Sequence, residues 1–224
     1  MYAFISHKGN RKEWPKIHKM CKELDIEKYI IVVGDAKKKG ASLRGRIFTI
    51  PSGDGYCDLP EKMYKLCKYF LEFFPKEKGF LKIDDDVRLY SQELYKILEK
   101  HNAGTGYITT SSPEWHMGRC PGSEWNKKKM NWDSWSKKYL KYTKKFRIMG
   151  GSHTYYLSKR AIKAIVKTIE EMKINPKTHV LENVMISSIL AKKGIKPVLN
   201  KSLNITMEEI YKGNKKLANV NTKL

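Results

Sequence analysis

The chain has 224 residues, enough for one full-sized domain with a substantial core or for two small ones. Its 41% apolar content is ordinary, and no stretch is long or apolar enough to form a membrane-spanning helix. It is strongly basic, with 45 Lys and Arg against 23 Asp and Glu and a formal net charge of +22. Such an excess attracts polyanions: nucleic acid, anionic membrane or nucleotide diphosphates. The lysines are nonetheless spread over nearly every segment, with only short clusters such as Lys37-Lys38-Lys39 and Lys127-Lys128-Lys129. That dispersal favours general solubility over a dedicated nucleic-acid face. The segment Met1-Tyr2-Ala3-Phe4-Ile5-Ser6 lacks the tripartite form of a signal peptide. Cys21, Cys57, Cys67 and Cys120 show no CxxC spacing, which indicates neither a zinc site nor a disulfide framework. The expectation is a soluble protein of a reducing compartment, the cytoplasm.

Residues 2–6 read as a first strand, followed by the polar loop Ser6-His7-Lys8-Gly9-Asn10-Arg11. Pro15 suits the first turn of a helix on which Ile17, Met20, Cys21 and Leu24 recur at helical spacing. Residues 29–33 predict a second strand ending in Gly34-Asp35, residues 36–46 a basic loop, and residues 47–50 a short third strand. Dense turn punctuation at Pro51-Ser52-Gly53-Asp54-Gly55 leads to a helix from Pro60 to about Phe74, halted by Pro75. A buried strand over residues 80–83 comes next. Ser91 can cap a helix with Leu94, Ile97 and Leu98 turned inward, and residues 106–110 read as a strand. Ser158 caps a further helix carrying Ile162, Ile165, Val166, Ile169 and Met172, which Asn175-Pro176 breaks. Glu182 opens another helix that Gly194 closes, residues 196–199 form a last short strand, and a polar tail occupies 204–224. Strands alternating with helices through short connections predict an α/β fold with a mixed, largely parallel sheet.

The buried run Phe80-Leu81-Lys82-Ile83 stops at Asp84-Asp85-Asp86, and apolar character resumes at Val87. Three adjacent carboxylates repel one another and need a cation. Lys82 and Arg88 flank them, but a hard divalent ion, Mn²⁺ or Mg²⁺, is the better partner, because it takes oxygen ligands and can share them with phosphates. Strand tips in open α/β sheets are also where ligands bind. The bland alternative is a solvated acidic turn. Residues 111–145 differ from the rest: polar, basic, and holding Trp115, Trp125, Trp132 and Trp135. Flat rings there can pack on sugars or stack on bases, or simply pack on one another beneath a long loop. Gly150-Gly151 would let a substrate approach the backbone closely, or would relieve a bend in a strand.

In this order, the segments resemble the β-1,3-galactosyltransferase-like glycosyltransferases of the GT-A fold, and are similar to small soluble glycosyltransferases of large algal and protist DNA viruses. The resemblance is carried by Ile5-Ser6 with Arg11, by Asp54-x-Tyr56-x-x-Leu59-x-x-Lys62, by Leu81-Lys82-x-Asp84-Asp85-Asp86-Val87, and by Gly150-Gly151 with Tyr156-Leu157-Ser158 and Glu182-x-Val184. It implies a single GT-A-like domain over residues 1–203, with a nucleotide-sugar half at 1–105 and an acceptor half at 106–200. It implies a UDP-sugar donor bound with Mn²⁺ or Mg²⁺, and a glycan or glycoprotein acceptor. Asp86 would ligate the metal, and Asp84 would face the ribose or the metal's water shell, with Asp85 beside them. Ser6, Arg11 and Asp35 would line the nucleotide pocket, Lys62 could add positive charge at the diphosphate, and Gly150 and Gly151 would lie against the donor. His153 is the candidate histidine ligand. Where the family has a catalytic aspartate this chain has Asn183, whose amide cannot take a proton, so Glu182 next to it is the candidate base and both inversion and retention stay open. A viral member without an anchor would act in the host cytoplasm.

The expected activity is therefore metal-dependent transfer of a hexose or deoxyhexose, with no dedicated nucleic-acid partner. Two other readings compete. A nucleic-acid-binding protein or metal-dependent nuclease would use the basic surface and the acid triplet. A lectin-like module would hold sugar without chemistry.

Overall fold

Strand alternation decides the architecture. In a computed structural model that describes residues 1–87, 89, 107–109, 154–179, 182–195 and 197–199, eight strands join one mixed sheet. They are β1 (Tyr2–Ile5), β2 (Tyr29–Gly34), β3 (Ser42–Arg44), β4 (Ile47–Ile50), β5 (Gly79–Asp84), β6 (Tyr107–Thr109), β7 (Thr154–Ser158) and β8 (Pro197–Leu199). The sheet order is β3-β4-β2-β1-β5-β7-β6-β8. The pairings β1–β2, β1–β5, β2–β4 and β6–β8 are parallel, and β3–β4, β5–β7 and β6–β7 antiparallel. This is the mixed, largely parallel α/β sheet that the sequence predicts.

Successive side chains on a strand face opposite ways, so a strand buried on both faces reads as a continuous apolar run. One face carries Ala3, Ile5, Ile30, Val32, Phe80, Tyr155 and Leu157; the other carries Tyr2, Phe4, Ile31, Val33, Leu81, Ile83 and Tyr156. The helices α2 (Leu59–Phe73), α3 (Lys159–Glu171) and α4 (Glu182–Lys192) cover the first face. The second is covered by α1 (Trp14–Glu23), through Ile17 and Cys21. Pro15 sits in the first turn of α1 and Pro60 in that of α2, where a missing N–H costs nothing. Ser158 caps α3 by accepting from the Ala161 backbone N–H at 3.2 Å.

Two expectations are corrected. The stretch 36–46 is not loop throughout: β3 pairs with β4 across a two-residue turn in which Gly45 adopts φ +57°, a left-handed conformation that suits glycine. Cys57 is disulfide-bonded, whereas Cys21 and Cys67 are free and buried. The lack of CxxC spacing therefore does not exclude a disulfide at Cys57. Among the described residues, no helix is long and apolar enough to cross a membrane. The capped helix expected after Ser91, the tryptophan-rich stretch, the boundary between the two expected halves and the polar tail lie outside the described residues.

Candidate active site

The parallel strands β1, β2, β4 and β5 all end at one edge of the sheet. The chain leaves β1 through α1 on one face to reach β2, and reaches β5 after α2 on the other face. The tips of β1 and β5 therefore flank the point where the strand order reverses, the usual ligand crevice of such sheets. The acid triplet lies there, because Ile5 pairs with Asp84.

Alternation splits the triplet. Asp84 closes β5 on the face of Phe80 and Lys82. Asp85 turns toward α1: its Oδ2 accepts from Ser6 Oγ at 2.6 Å and from Asn10 Nδ2 at 2.9 Å, and its backbone N–H donates to the Ile5 carbonyl at 3.1 Å. Ser6 Oγ in turn accepts from Trp14 Nε1 at 2.8 Å. Asp86 is exposed on a turn closed by the Val87 N–H on the Asp84 carbonyl at 3.2 Å. Asp85 is thus committed to the scaffold, while Asp84 stands at the end of β5 and Asp86 on the turn that follows it. Ser6 serves as a bridge between β1, α1 and Asp85.

Below Asp84 lies Lys82, 1% exposed. Its Nζ is 2.6 Å from Asp84 Oδ1, 3.8 Å from Glu182 Oε1 and 5.3 Å from the centre of the Tyr155 ring. Burial works to strip its proton, but the charges of Asp84 and Glu182 outweigh burial and hold the lysine pKa above its ordinary value. Glu182, in the first turn of α4, is pushed the other way from most paired acids. Burial raises its pKa, and the charge of Lys82 offsets that only in part. Buried carboxylates with raised proton affinity are the kind of group from which general bases are drawn. Asn183 beside it is 5% exposed.

A second buried lysine organises the rim. Lys62, also 1% exposed, donates to Asp54 Oδ1 at 2.6 Å and to the Ser6 carbonyl at 3.0 Å. Asp54 also accepts from the Gly34 N–H at 2.6 Å and the Lys8 N–H at 2.6 Å. The two ends of Asp54-x-Tyr56-x-x-Leu59-x-x-Lys62 therefore meet as an ion pair that ties α2 to the tips of β1 and β2. The Lys62 ammonium is thus engaged in tying these loops together. Gly34 has no room for a side chain, since a Cβ there would sit 2.2 Å from the Gly53 carbonyl oxygen. Asp35, at the tip of β2, pairs with Lys8 Nζ at 2.8 Å, and that hydrogen bond lowers its pKa. Arg11 is exposed, with its guanidinium 5.6 Å from the centre of the Trp14 ring.

The structure therefore brings Ser6, Asp35, Asp84, Asp85, Asp86, Lys62 and Glu182 to one edge of the sheet. Gly150, Gly151 and His153 lie outside the described residues. Among the described residues no three His, Cys, Asp or Glu side chains converge into a ready-made metal cage. Asp84 and Asp86 nevertheless fit a hard divalent ion whose remaining positions are filled by water and phosphate oxygens, which is how Mg²⁺-type sites are commonly built. Sequence reasoning left Asn10 and Trp14 without a role and gave Lys82 only that of a flanking cation. The period-two rule applied to Lys82 and Asp84 puts both on one face, a signal the sequence does contain.

No curated protein matches the chain closely enough to count as a relative. A family model for galactosyltransferases matches residues 29–201, from the start of β2 past the end of β8, which leaves Ser6 and Arg11 upstream of the matched region. Because that match takes in well over half of the chain, including the acid triplet, the Asp54–Lys62 pair and Glu182, the chain belongs to the galactosyltransferase family, whose members transfer glycosyl groups.

Proposed function

We propose that the protein is a metal-dependent glycosyltransferase that moves a hexose or deoxyhexose from a UDP-sugar to a glycan acceptor. The observation that carries this reading is the arrangement at the tips of β1 and β5: the carboxylates of Asp84 and Asp86 on β5 and its turn, with the largely buried Glu182 held near Asp84 through Lys82. In transfer, the bond between the anomeric carbon and the diphosphate oxygen breaks, and a bond from that carbon to an acceptor hydroxyl oxygen forms. Glu182 takes the hydroxyl proton. Asp84 and Asp86 would hold Mn²⁺ or Mg²⁺, and the ion would neutralise charge developing on the departing diphosphate. Asp35 would line the nucleotide side, with the buried Ser6 holding Asp85 behind it and Lys62 and Asp54 fixing the neighbouring loops. Arg11 is near enough along the chain to add a cation there.

Isothermal titration of a panel of UDP-sugars, with and without Mn²⁺, tests the reading. Metal-dependent binding of at least one donor is expected, together with its loss in Asp86→Asn, where a neutral amide replaces an anionic ligand. Absence of metal-dependent binding to every donor would sink it. Binding of glycan with no turnover of any UDP-sugar would leave a lectin-like module instead.

A further inference from the structure

A lysine inside the larger core of a sheet is expensive, because its ammonium gives up its water shell. Along its face of the sheet Lys82 is surrounded by core residues, Phe80 before it and the Tyr155 ring beside it. Apolar residues in place of a buried ion pair are often neutral or stabilising, so stability alone does not account for a lysine there. What sets Lys82 apart is what its ammonium touches. Asp84 Oδ1 lies 2.6 Å away on β5 and Glu182 Oε1 lies 3.8 Å away on α4. The lysine side chain is 2% exposed, whereas the Asp84 and Glu182 side chains are 29% and 12% exposed. The ammonium is sealed, and the two carboxylates it faces, one on β5 and one on α4, both reach the surface.

We propose that Lys82 is a positioning residue for transfer: one buried ammonium fixes the acceptor-side carboxylate of Glu182 relative to the donor-side carboxylate of Asp84. This rests on the reading of Glu182 as the base that takes the acceptor proton. Lys82 touches neither substrate and acts only through the two acids. Without it, two like charges face each other across a poorly hydrated cleft and repel, and the Glu182 side chain swings away from the donor end. Misplacing a reacting group by about 1 Å costs on the order of 10²-fold in rate.

A double-mutant cycle on the full chain separates this from a merely structural role. Transfer is measured at saturating donor and acceptor for wild type, Lys82→Met, Glu182→Gln and the double variant, and crystal structures are solved for wild type and Lys82→Met. Lys82→Met is expected to cut kcat by roughly tenfold or more when Glu182 is present, but by less than about threefold in the Glu182→Gln background. The Glu182 carboxylate is expected to be displaced in the Lys82→Met crystals. Equal losses in both backgrounds, or an undisplaced Glu182, overturn the proposal while leaving the base reading intact. Wild-type transfer by Glu182→Gln alone overturns the base reading and this proposal with it. Should Lys82→Met fail to fold, Lys82→Gln carries the same cycle with the same outcomes, because its amide still hydrogen-bonds to a carboxylate without supplying the charge.

Discussion

Glu182 and Asn183 are adjacent at the first turn of α4, and only the first can accept a proton. The resemblance to β-1,3-galactosyltransferases places the base at 183, where this chain has a buried amide. At 182, burial strengthens proton affinity, and Lys82 together with the backbone N–H groups of Glu182 and Asn183 only partly restores the anion. The base must be ionised, so transfer rises with pH as Glu182 loses its proton and is lost as pH falls through a value above the ordinary glutamate range. Glu182→Gln should leave donor affinity intact, cut transfer by a factor on the order of 10² or more, and remove that acid limb from the pH–rate profile. Near-normal transfer by Glu182→Gln would remove Glu182 from the mechanism and shift attention to Asp133, outside the described residues. The existence of a carboxylate cluster at a strand tip was legible from the residues alone. Which carboxylate does what was not, because it depends on partners far along the chain: Ser6 and Asn10 take Asp85, and Lys82 takes Asp84.

At the scale of elements, α2 and the turn before it do more than fill the core. The turn is pinned where Asp54 meets two backbone N–H groups and Lys62, and α2 is pinned where Lys62 meets the Ser6 carbonyl. Removing the cation leaves a partly buried carboxylate and a carbonyl without that donor. Lys62→Met is expected to destabilise the fold by about 3–5 kcal/mol, as is usual when one partner of a buried pair is removed. Urea unfolding followed by circular dichroism measures this; a loss below about 1 kcal/mol, the range of an exposed pair, would show that the Asp54 contact adds little. The helices and the long strands were legible for plain reasons. Continuous apolar runs mark strands buried on both faces, and proline, serine and glycine mark helix ends. β3 escaped because Ser42, Leu43 and Arg44 lie on an edge, where Leu43 is 40% exposed and no apolar run is required. The disulfide at Cys57 escaped because covalent pairing leaves no periodic signal in a sequence. The motif joining Asp54 to Lys62 was visible as a spacing, but its meaning as an ion pair needed the turn to fold back on the helix.

For the molecule as a whole, the formal charge of +22 is the feature that transfer chemistry leaves least explained, and it is the main warrant for a nucleic-acid reading. Where the described lysines lie bears on this. Lys16, Lys28, Lys68, Lys167, Lys177 and Lys193 pair with acids just before α1, on the approach to β5, on α2 and on α3, and they spread over both faces of the sheet. A cation excess scattered in this way raises general affinity for polyanions without shaping a groove. A dedicated binder that neutralises six to ten phosphates loses roughly 10³–10⁵ in affinity between 50 and 200 mM salt, with a log-linear slope. A nucleotide-sugar site makes few phosphate contacts and holds its ligand largely through short-range bonds and a metal, so its salt dependence is shallow. We expect UDP-sugar affinity to fall by less than about tenfold over that range, and nucleic acid neither to displace the donor near 150 mM salt nor to be cut in the presence of Mn²⁺. Fluorescence anisotropy with labelled single- and double-stranded oligonucleotides, run beside the donor titrations, measures both slopes on one preparation. Tight, steeply salt-dependent oligonucleotide binding that competes with the donor, or metal-dependent strand cleavage lost in Asp86→Asn, would assign the acid turn to nucleic acid instead of a nucleotide sugar.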